Sequence, residues 1–244
     1  MRYRRVLLKL SGESLAGEGG VGLDGLSLRQ RVEDLIAARS LGLEIGVVPG
    51  GGNILRGATS ELPVSRVAAD FMGMLATVIN AVALFEMLRS HGVPSFVRSA
   101  FPIKGLVPEF VAEEASTLVA DGQVGIFAGG TGNPFFTTDT AAVLRALEIH
   151  ADALLKGTRV DGVYSADPER VSDARRYTQI SYDDVLAGNL AFMDRAATAL
   201  CRDNQLPVVV FNQTRRGAMR RVIVGEDEGT LVGPVQTVPT KDKE

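Results

Sequence analysis

The chain has 244 residues, a formal net charge of -3, 45% hydrophobic and 23% charged residues. That balance reads as a soluble globular protein with one large α/β domain or two small ones, and the absence of a basic block argues against nucleic acid as a partner. A single cysteine, Cys201, excludes an internal disulfide and fits a reducing, cytoplasmic setting.

The basic start, residues 1–5, is followed by only Val6, Leu7 and Leu8 before Lys9, which reads as a strand rather than a secretory leader. Residues 5–10 form that first strand. It ends at Lys9-Leu10-Ser11-Gly12, where a lysine suits a phosphate as a mobile point charge. A snorkelling surface lysine is the plainer alternative. Residues 17–22, Gly17-Glu18-Gly19-Gly20-Val21-Gly22, formally match G-x-G-x-x-G. The dinucleotide fingerprint must follow a strand directly and open a helix, and intervening residues on both sides prevent that here. A hairpin or surface loop is the better reading. Ser27 and Gln30 predict a capping box, Leu28, Val32, Leu35 and Ile36 an apolar helical stripe, and Gly42 its end.

Residues 44–48 read as a second strand running into Pro49-Gly50-Gly51-Gly52-Asn53, with Arg56 following. Consecutive glycines let backbone N–H groups approach a phosphate, and an arginine can clamp its oxygens. Residues 64–89 predict one long helix, apolar on most faces and therefore buried in a core or an interface. Asp70, Asn80 and Glu86 within it argue against a membrane span. Asp70 either complements the helix dipole or receives sugar hydroxyls, and spacing leaves both open.

Residues 95–99, 123–128, 153–156 and 207–211 read as further strands, and 109–119, 139–150, 181–187, 194–203 and 217–224 as helices, with Asp184 completing a capping box. Residues 230–232 close the fold and the polar tail after 233 reads as frayed. His91 and His150 sit at helix ends, not at metal-ligand spacing, and no metal site is expected.

The most informative stretch is 129–142, Gly129-Gly130-Thr131-Gly132-Asn133-Pro134-Phe135-Phe136-Thr137-Thr138-Asp139-Thr140-Ala141-Ala142, between a buried strand and a helix start. Free N–H groups at the helix start bind anions, glycines allow close approach, and hydroxyls add donors. A tight turn capped by Thr138 or Asp139 accounts for one of these residues but not for Thr131, Asn133, Thr137 and Thr138 together. Alternating strands and helices predict a mostly parallel sheet with ligands outside the carboxyl ends of its strands. Residues 9–12, 50–53, 129–138 and 156–158 all fall there. Such convergence points to phosphoryl transfer, which needs positioning and charge neutralisation more than covalent chemistry. Residues 160–168 add a polar loop in which Tyr164 is able to stack on a base and Asp167 to hold hydroxyls, or which is simply a surface turn. The chain contains no G-x-x-x-x-G-K-[ST] and no His-Arg-Asp loop, which excludes P-loop and protein kinases.

These residues resemble the bacterial UMP kinases of the amino-acid kinase superfamily over nearly all of 5–231. The specific stretches are Lys9-Leu-Ser-Gly-Glu13, Gly50-Gly-Gly-Asn53 with Arg56-Gly57, Met72-Gly-Met-Leu-Ala-Thr-Val-Ile-Asn80, residues 130–142, and Val160-Asp-Gly-Val-Tyr164 with Ala166-Asp-Pro168. The resemblance implies a three-layer αβα sandwich spanning 1–244 as a single domain, a homohexamer, and ATP plus UMP giving ADP plus UDP with Mg²⁺ carried on ATP. It implies Lys9, Arg56 and Asp139 as catalytic residues. Lys9, Leu10, Ser11, Gly12, Gly52, Arg56, Thr158, Tyr164 and Asp167 would hold ATP. Gly51, Asp70, Thr131, Gly132, Asn133, Pro134, Phe135, Phe136, Thr137 and Thr138 would hold UMP, with Asp70 on the ribose. Asp194 matches a further acidic position near the site. Gly17, Glu18, Gly19, Gly20, Val21 and Gly22 match a segment linked to activation by GTP, and UTP inhibition is common. The chain departs from the usual pattern at Pro49, Ala69, Gly157 and residues 102–108. Two other readings compete, a kinase of an acidic small molecule and a uridine-nucleotide sensor without turnover. Thr137, Thr138 and Asp70 argue against the first, and Lys9 with Arg56 against the second.

Lys9→Ala is expected to cut turnover by orders of magnitude while leaving UMP binding mostly intact, read from steady-state kinetics beside a UMP titration. Equal loss of UMP affinity would remove Lys9 from the transfer step.

Overall fold

The computed structural model describes residues 2–17, 19–55, 63–168, 170–171, 173–190 and 192–240. One twisted sheet runs through it: β1 (Arg5–Leu10), β2 (Glu44–Pro49), β3 (Ser95–Ser99), β4 (Val124–Ala128), β5 (Ala153–Thr158), β6 (Tyr177–Ser181), β7 (Val208–Asn212), β8 (Thr230–Gly233) and β9 (Val238–Pro239). The spatial order is β3-β4-β2-β1-β5-β7-β8-β6-β9. The strands from β3 through β7 are mutually parallel, β7 meets β8 antiparallel, and β9 closes the edge antiparallel to β6.

Central strands of a covered parallel sheet are apolar on both faces, which is why β2 and β4 are buried along their whole length. Side chains alternate between two cores. Val6, Leu8 and Leu10 of β1 pack with α1 (Gly25–Ser40), α2 (Arg66–Ser90) and α7 (Ala218–Val224). Leu7 points to the opposite face, among α3 (Ala112–Ala120), α4 (Thr138–Glu148), α5 (Tyr182–Ala187) and α6 (Arg195–Asp203). The result is the expected three-layer αβα arrangement. Cys201 is buried in the second core, and burial pushes its thiol up to about 12, so it is an inert core residue.

Several boundaries differ from the sequence expectation, each for a local reason. Asp24, not Ser27, caps α1, because its carboxylate accepts the Ser27 N–H at 2.7 Å while the Ser27 hydroxyl turns back to the Ala16 carbonyl. Helix α3 starts at Ala112, after Phe110 has donated its N–H to the Ser99 carbonyl and extended the chain beside β3. Thr137 caps α4 in place of Thr138 or Asp139, its hydroxyl accepting the Asp139 N–H. At α5, Ser181 accepts the Asp184 N–H, but its own N–H goes to Thr237 and not to Asp184, so the capping box is shared with the tail. That tail is not frayed up to residue 240: Val238–Pro239 pair with β6, and Thr240 donates its N–H to Arg176. Strand β6 itself was missed because only Ile180 of its residues is buried, leaving no apolar run to read. A 3-10 turn at Gly12–Leu15 follows β1 directly.

Helix α2 meets the expectation of a core helix on one face only. Ala81, Leu84 and Leu88 are buried in the core, whereas Val67, Phe71, Met72, Leu75 and Ile79 form an exposed apolar stripe. By length and composition α2 could cross a membrane, but its inner face is core.

Gly46 lies where β2 is crossed by side chains from both neighbours. A methyl there would stand 2.8 Å from Ile149, 2.9 Å from Leu7 and 2.9 Å from Phe127. Gly46→Ala is expected to destabilise the fold by about 1–3 kcal/mol through overpacking, measured by denaturant unfolding.

Candidate active site

The carboxyl ends of β1, β2, β4 and β5 deliver their polar residues to one edge, as the parallel topology requires. Two adjoining cavities open there. The first, of about 370 Å³, is lined by Lys9, Ser11, Gly12, Gly50, Gly51, Gly52, Asp70, Thr131, Asn133, Phe136, Thr137, Thr138 and Asp139, with Arg66, Met74 and Thr77 from α2. The second, of about 660 Å³, is lined by Lys9, Ser11, Glu13, Lys156, Gly157, Thr158, Tyr164 and Asp167, with residues 188–190 and Phe192 on its far side. Lys9 and Ser11 belong to both.

At the junction one carboxylate serves two lysines. Asp139, in the first turn of α4, receives Lys9 Nζ at 3.0 Å on one oxygen and Lys156 Nζ at 2.6 Å on the other. Lys156 also donates to the Phe192 carbonyl. Burial pushes the Asp139 carboxyl up, but the attraction of Lys9 and Lys156 outweighs it and holds the group at about 2. Burial pulls Lys156 below the ordinary lysine value, partly offset by Asp139. Two ammonium groups share one carboxylate in a poorly hydrated place between the cavities, with the Asp194 carboxylate acting on Lys156 from further away. An anion is the natural complement.

The loop after β4 is shaped for close approach. Gly129 has φ +77, and a Cβ there would meet Ser99 Oγ at 2.5 Å and the Ala100 nitrogen at 2.9 Å. Its N–H is held by the buried Thr77 hydroxyl of α2 at 2.8 Å. Phe135 has φ +71 and donates its N–H to Asp70 at 2.8 Å, while Arg66 Nε reaches both Asp70 oxygens at 2.9 and 2.8 Å. The Arg66 guanidinium lies over the Phe135 ring, 5.6 Å from its centre. Asp70 thus joins α2 to the loop, beyond any dipole effect. At the loop's end Thr137 and Thr140 donate to Asp194, which also caps α6 through the Ala197 N–H.

In the second cavity Tyr164 donates its hydroxyl to Asp161 at 2.5 Å, and Thr158 donates to the Val160 carbonyl. A buried hydroxyl, Thr230, accepts the Val163 N–H and straps this loop to β8.

Most of the residues expected from sequence gather here, with some redistribution. Gly12 and Gly52 line the first cavity, not the one holding Thr158, Tyr164 and Asp167. Leu10 is buried in the core and lines neither, its carbonyl accepting the Gly50 N–H. Gly132, Pro134 and Phe135 shape the loop without lining a cavity. Gly17, Gly19, Gly20, Val21 and Gly22 lie outside both cavities, with Gly20 and Gly22 at positive φ. Arg56 and Glu18 lie outside the described residues. The sequence reading placed Lys156 at this edge with residues 156–158 but did not pair it with Asp139 as a second cation. Its signal was a lysine inside an otherwise apolar strand that ends at the site edge.

A family model described as "Amino acid kinase family" matches residues 4–212. The chain belongs to the amino acid kinase family. Among the members it resembles is the uridylate kinase of Hydrogenovibrio crunogenus, 52% identical over 233 residues, covering 95% of this chain and 99% of that protein. The crystal structure of UMP kinase from Bacillus anthracis superposes with a TM-score of 0.95 at 37% identity, covering 98% of this chain and 99% of that one. UMP kinase from Ureaplasma parvum gives 0.89 at 36% identity, over 96% and 100%. In this amino acid kinase the lysine–aspartate–lysine cluster therefore sits on a frame shared almost end to end with those structures.

Asp139→Asn leaves two lysines side by side without their counter-charge. It is expected to cost about 3–5 kcal/mol of stability and to lower turnover about 10²–10³-fold, measured by thermal unfolding and steady-state kinetics on the same preparation.

Proposed function

We infer that this chain is a UMP kinase, transferring the γ-phosphoryl group of ATP to UMP to give ADP and UDP. The observation that carries the reading is the meeting of two cavities at Lys9, beside a second lysine that shares its carboxylate. UMP takes the first cavity, with its phosphate on Gly51 and residues 131–138 and its ribose near Asp70. ATP takes the second, with its base by Tyr164, its ribose by Asp167 and its phosphates reaching Lys9, Ser11 and Thr158.

The chemistry follows from that placement. A phosphate oxygen of UMP attacks the γ-phosphorus, the bond to the β-phosphate oxygen breaks, and the electron pair leaves with ADP. A nucleoside monophosphate is already largely dianionic at neutral pH, its second pKa lying near about 6, so the attacking oxygen needs no general base. Asp139, held at about 2, is a poor base in any case. Its part is to hold Lys9 and Lys156 where charge accumulates on the transferring group. Arg56 is proposed as a further phosphate clamp. Both Asp139 oxygens are engaged by lysines, so this carboxylate does not suit a metal ion, and we propose that Mg²⁺ arrives on the phosphates of ATP.

The reading extends to pyrimidine nucleotide biosynthesis in the cytoplasm, to activation by GTP through residues 17–22, and to inhibition by UTP. It also includes assembly as a homohexamer, which the exposed apolar stripe of α2 supports as a contact between copies.

ADP release is to be measured with ATP, Mg²⁺ and, separately, UMP, CMP, dUMP and acetylglutamate. Turnover with UMP well above the others is expected. Saturable UMP binding without turnover would favour a sensor, and turnover with acetylglutamate would overturn the assignment of the acceptor.

A further inference from the structure

Two asparagines behind the first cavity account for every one of their side-chain hydrogens. Asn53 follows the three glycines, and Asn80 stands on the inner face of α2; they are 2% and 0% exposed. Asn53 Nδ2 donates to Asn80 Oδ1 at 3.1 Å, and Asn80 Nδ2 donates to Asn53 Oδ1 at 2.7 Å, a closed pair of amides. The remaining N–H of each amide goes to backbone. Asn80 donates to the Gly50 carbonyl at 2.7 Å, and Asn53 donates to the Gly22 carbonyl at 2.7 Å. The Asn53 carbonyl in turn accepts the Gly22 N–H at 2.8 Å.

Burying two amides is costly unless their polar groups are bonded, and a fully bonded buried network becomes rigid and specific. The rigidity is delivered to one place. The Gly50 N–H is fastened to Leu10 and its carbonyl to Asn80, so Gly50 is held on both sides and the peptide entering Gly51 is fixed at its carbonyl. Gly51 is pressed against α2, where a Cβ would stand 2.7 Å from the Gly73 carbonyl. Gly12 fits over the pair itself, with its hypothetical Cβ 2.5 Å from Asn53 Oδ1. Glycine has no side chain with which to fix its own orientation, so a glycine loop that binds through backbone N–H groups depends on neighbours to aim them.

We propose that the Asn53–Asn80 amide pair is a positioning device that aims the Gly50–Gly51–Gly52 backbone at the phosphate of the acceptor nucleotide. Neither amide touches the substrate. The proposal rests on the reading that the first cavity takes UMP.

The test compares Asn53→Ala, Asn80→Ala and the double variant with the full-length wild type, using UMP titration calorimetry, KM for UMP and for ATP, and thermal unfolding. Each folded single variant is expected to raise the UMP Kd and KM by at least about tenfold, since small misplacements are costly in binding and catalysis. The ATP KM is expected to stay within about twofold. The double variant should lose less than the two single losses combined, because the two bonds between the amides are shared and only the bonds to Gly50 and Gly22 are separate. Should an alanine variant not fold, Asn53→Ser and Asn80→Ser are measured in the same way. An unchanged UMP Kd in folded variants would overturn the positioning role. So would an ATP KM that rises in step with that for UMP. Wild-type protein that does not bind UMP would overturn the acceptor assignment as well, and that failure is visible before any variant is made.

Discussion

One carboxylate between two lysines is the interaction on which the rest of the site depends. Asp139 is drawn from the first turn of α4, Lys9 from the end of β1 and Lys156 from β5, so the cluster exists only when three elements are in place. Burial raises the free energy of all three charges, and their mutual attraction must offset it. Lys9 and Lys156 share that one carboxylate, with Asp194 acting on Lys156 from further away. A phosphoryl group arriving between the two cavities meets both ammonium groups.

Around that cluster the fold acts as a positioning frame. Parallel strands end together, so their loops meet at one edge, and the two cavities are the spaces left between those loops. The α2 helix serves the first cavity from behind through Asp70, Thr77 and Asn80, each of which bonds to a loop. The segment between α5 and α6 serves the junction, where the Phe192 carbonyl holds Lys156 and Asp194 holds Thr137. Binding of donor and acceptor thus falls to loops, while strands and buried side chains set where those loops point.

Much of this was legible in the amino-acid order because the signals were local. Apolar runs that end in glycine and hydroxyl residues mark strands that meet a ligand, and β1 and β3 fall on the expected residues. The chain-wide resemblance to UMP kinases followed from the same stretches and agrees with the 52% identical relative. What escaped was non-local. Strand β6 has almost no apolar pattern of its own and exists because β8 and β9 flank it. Thr137 caps α4 in place of its neighbours because Asp194, 57 residues away, receives its hydroxyl. The tail gains order only by pairing with β6.

By itself the sequence determined the alternation of strands and helices, the parallel sheet, and the chemistry at each strand end, since periodicity and glycine placement act over a few residues. Only the tertiary structure decided that Lys156 shares Asp139 with Lys9, that Asp70 is bonded to Arg66 and to the Phe135 N–H, and that Asn53 pairs with Asn80. Apart from the Arg66–Asp70 pair, one turn apart on α2, those contacts join residues far apart in the chain. Their strength comes from exclusion of water, and burial is a property of the packed molecule that no single stretch carries.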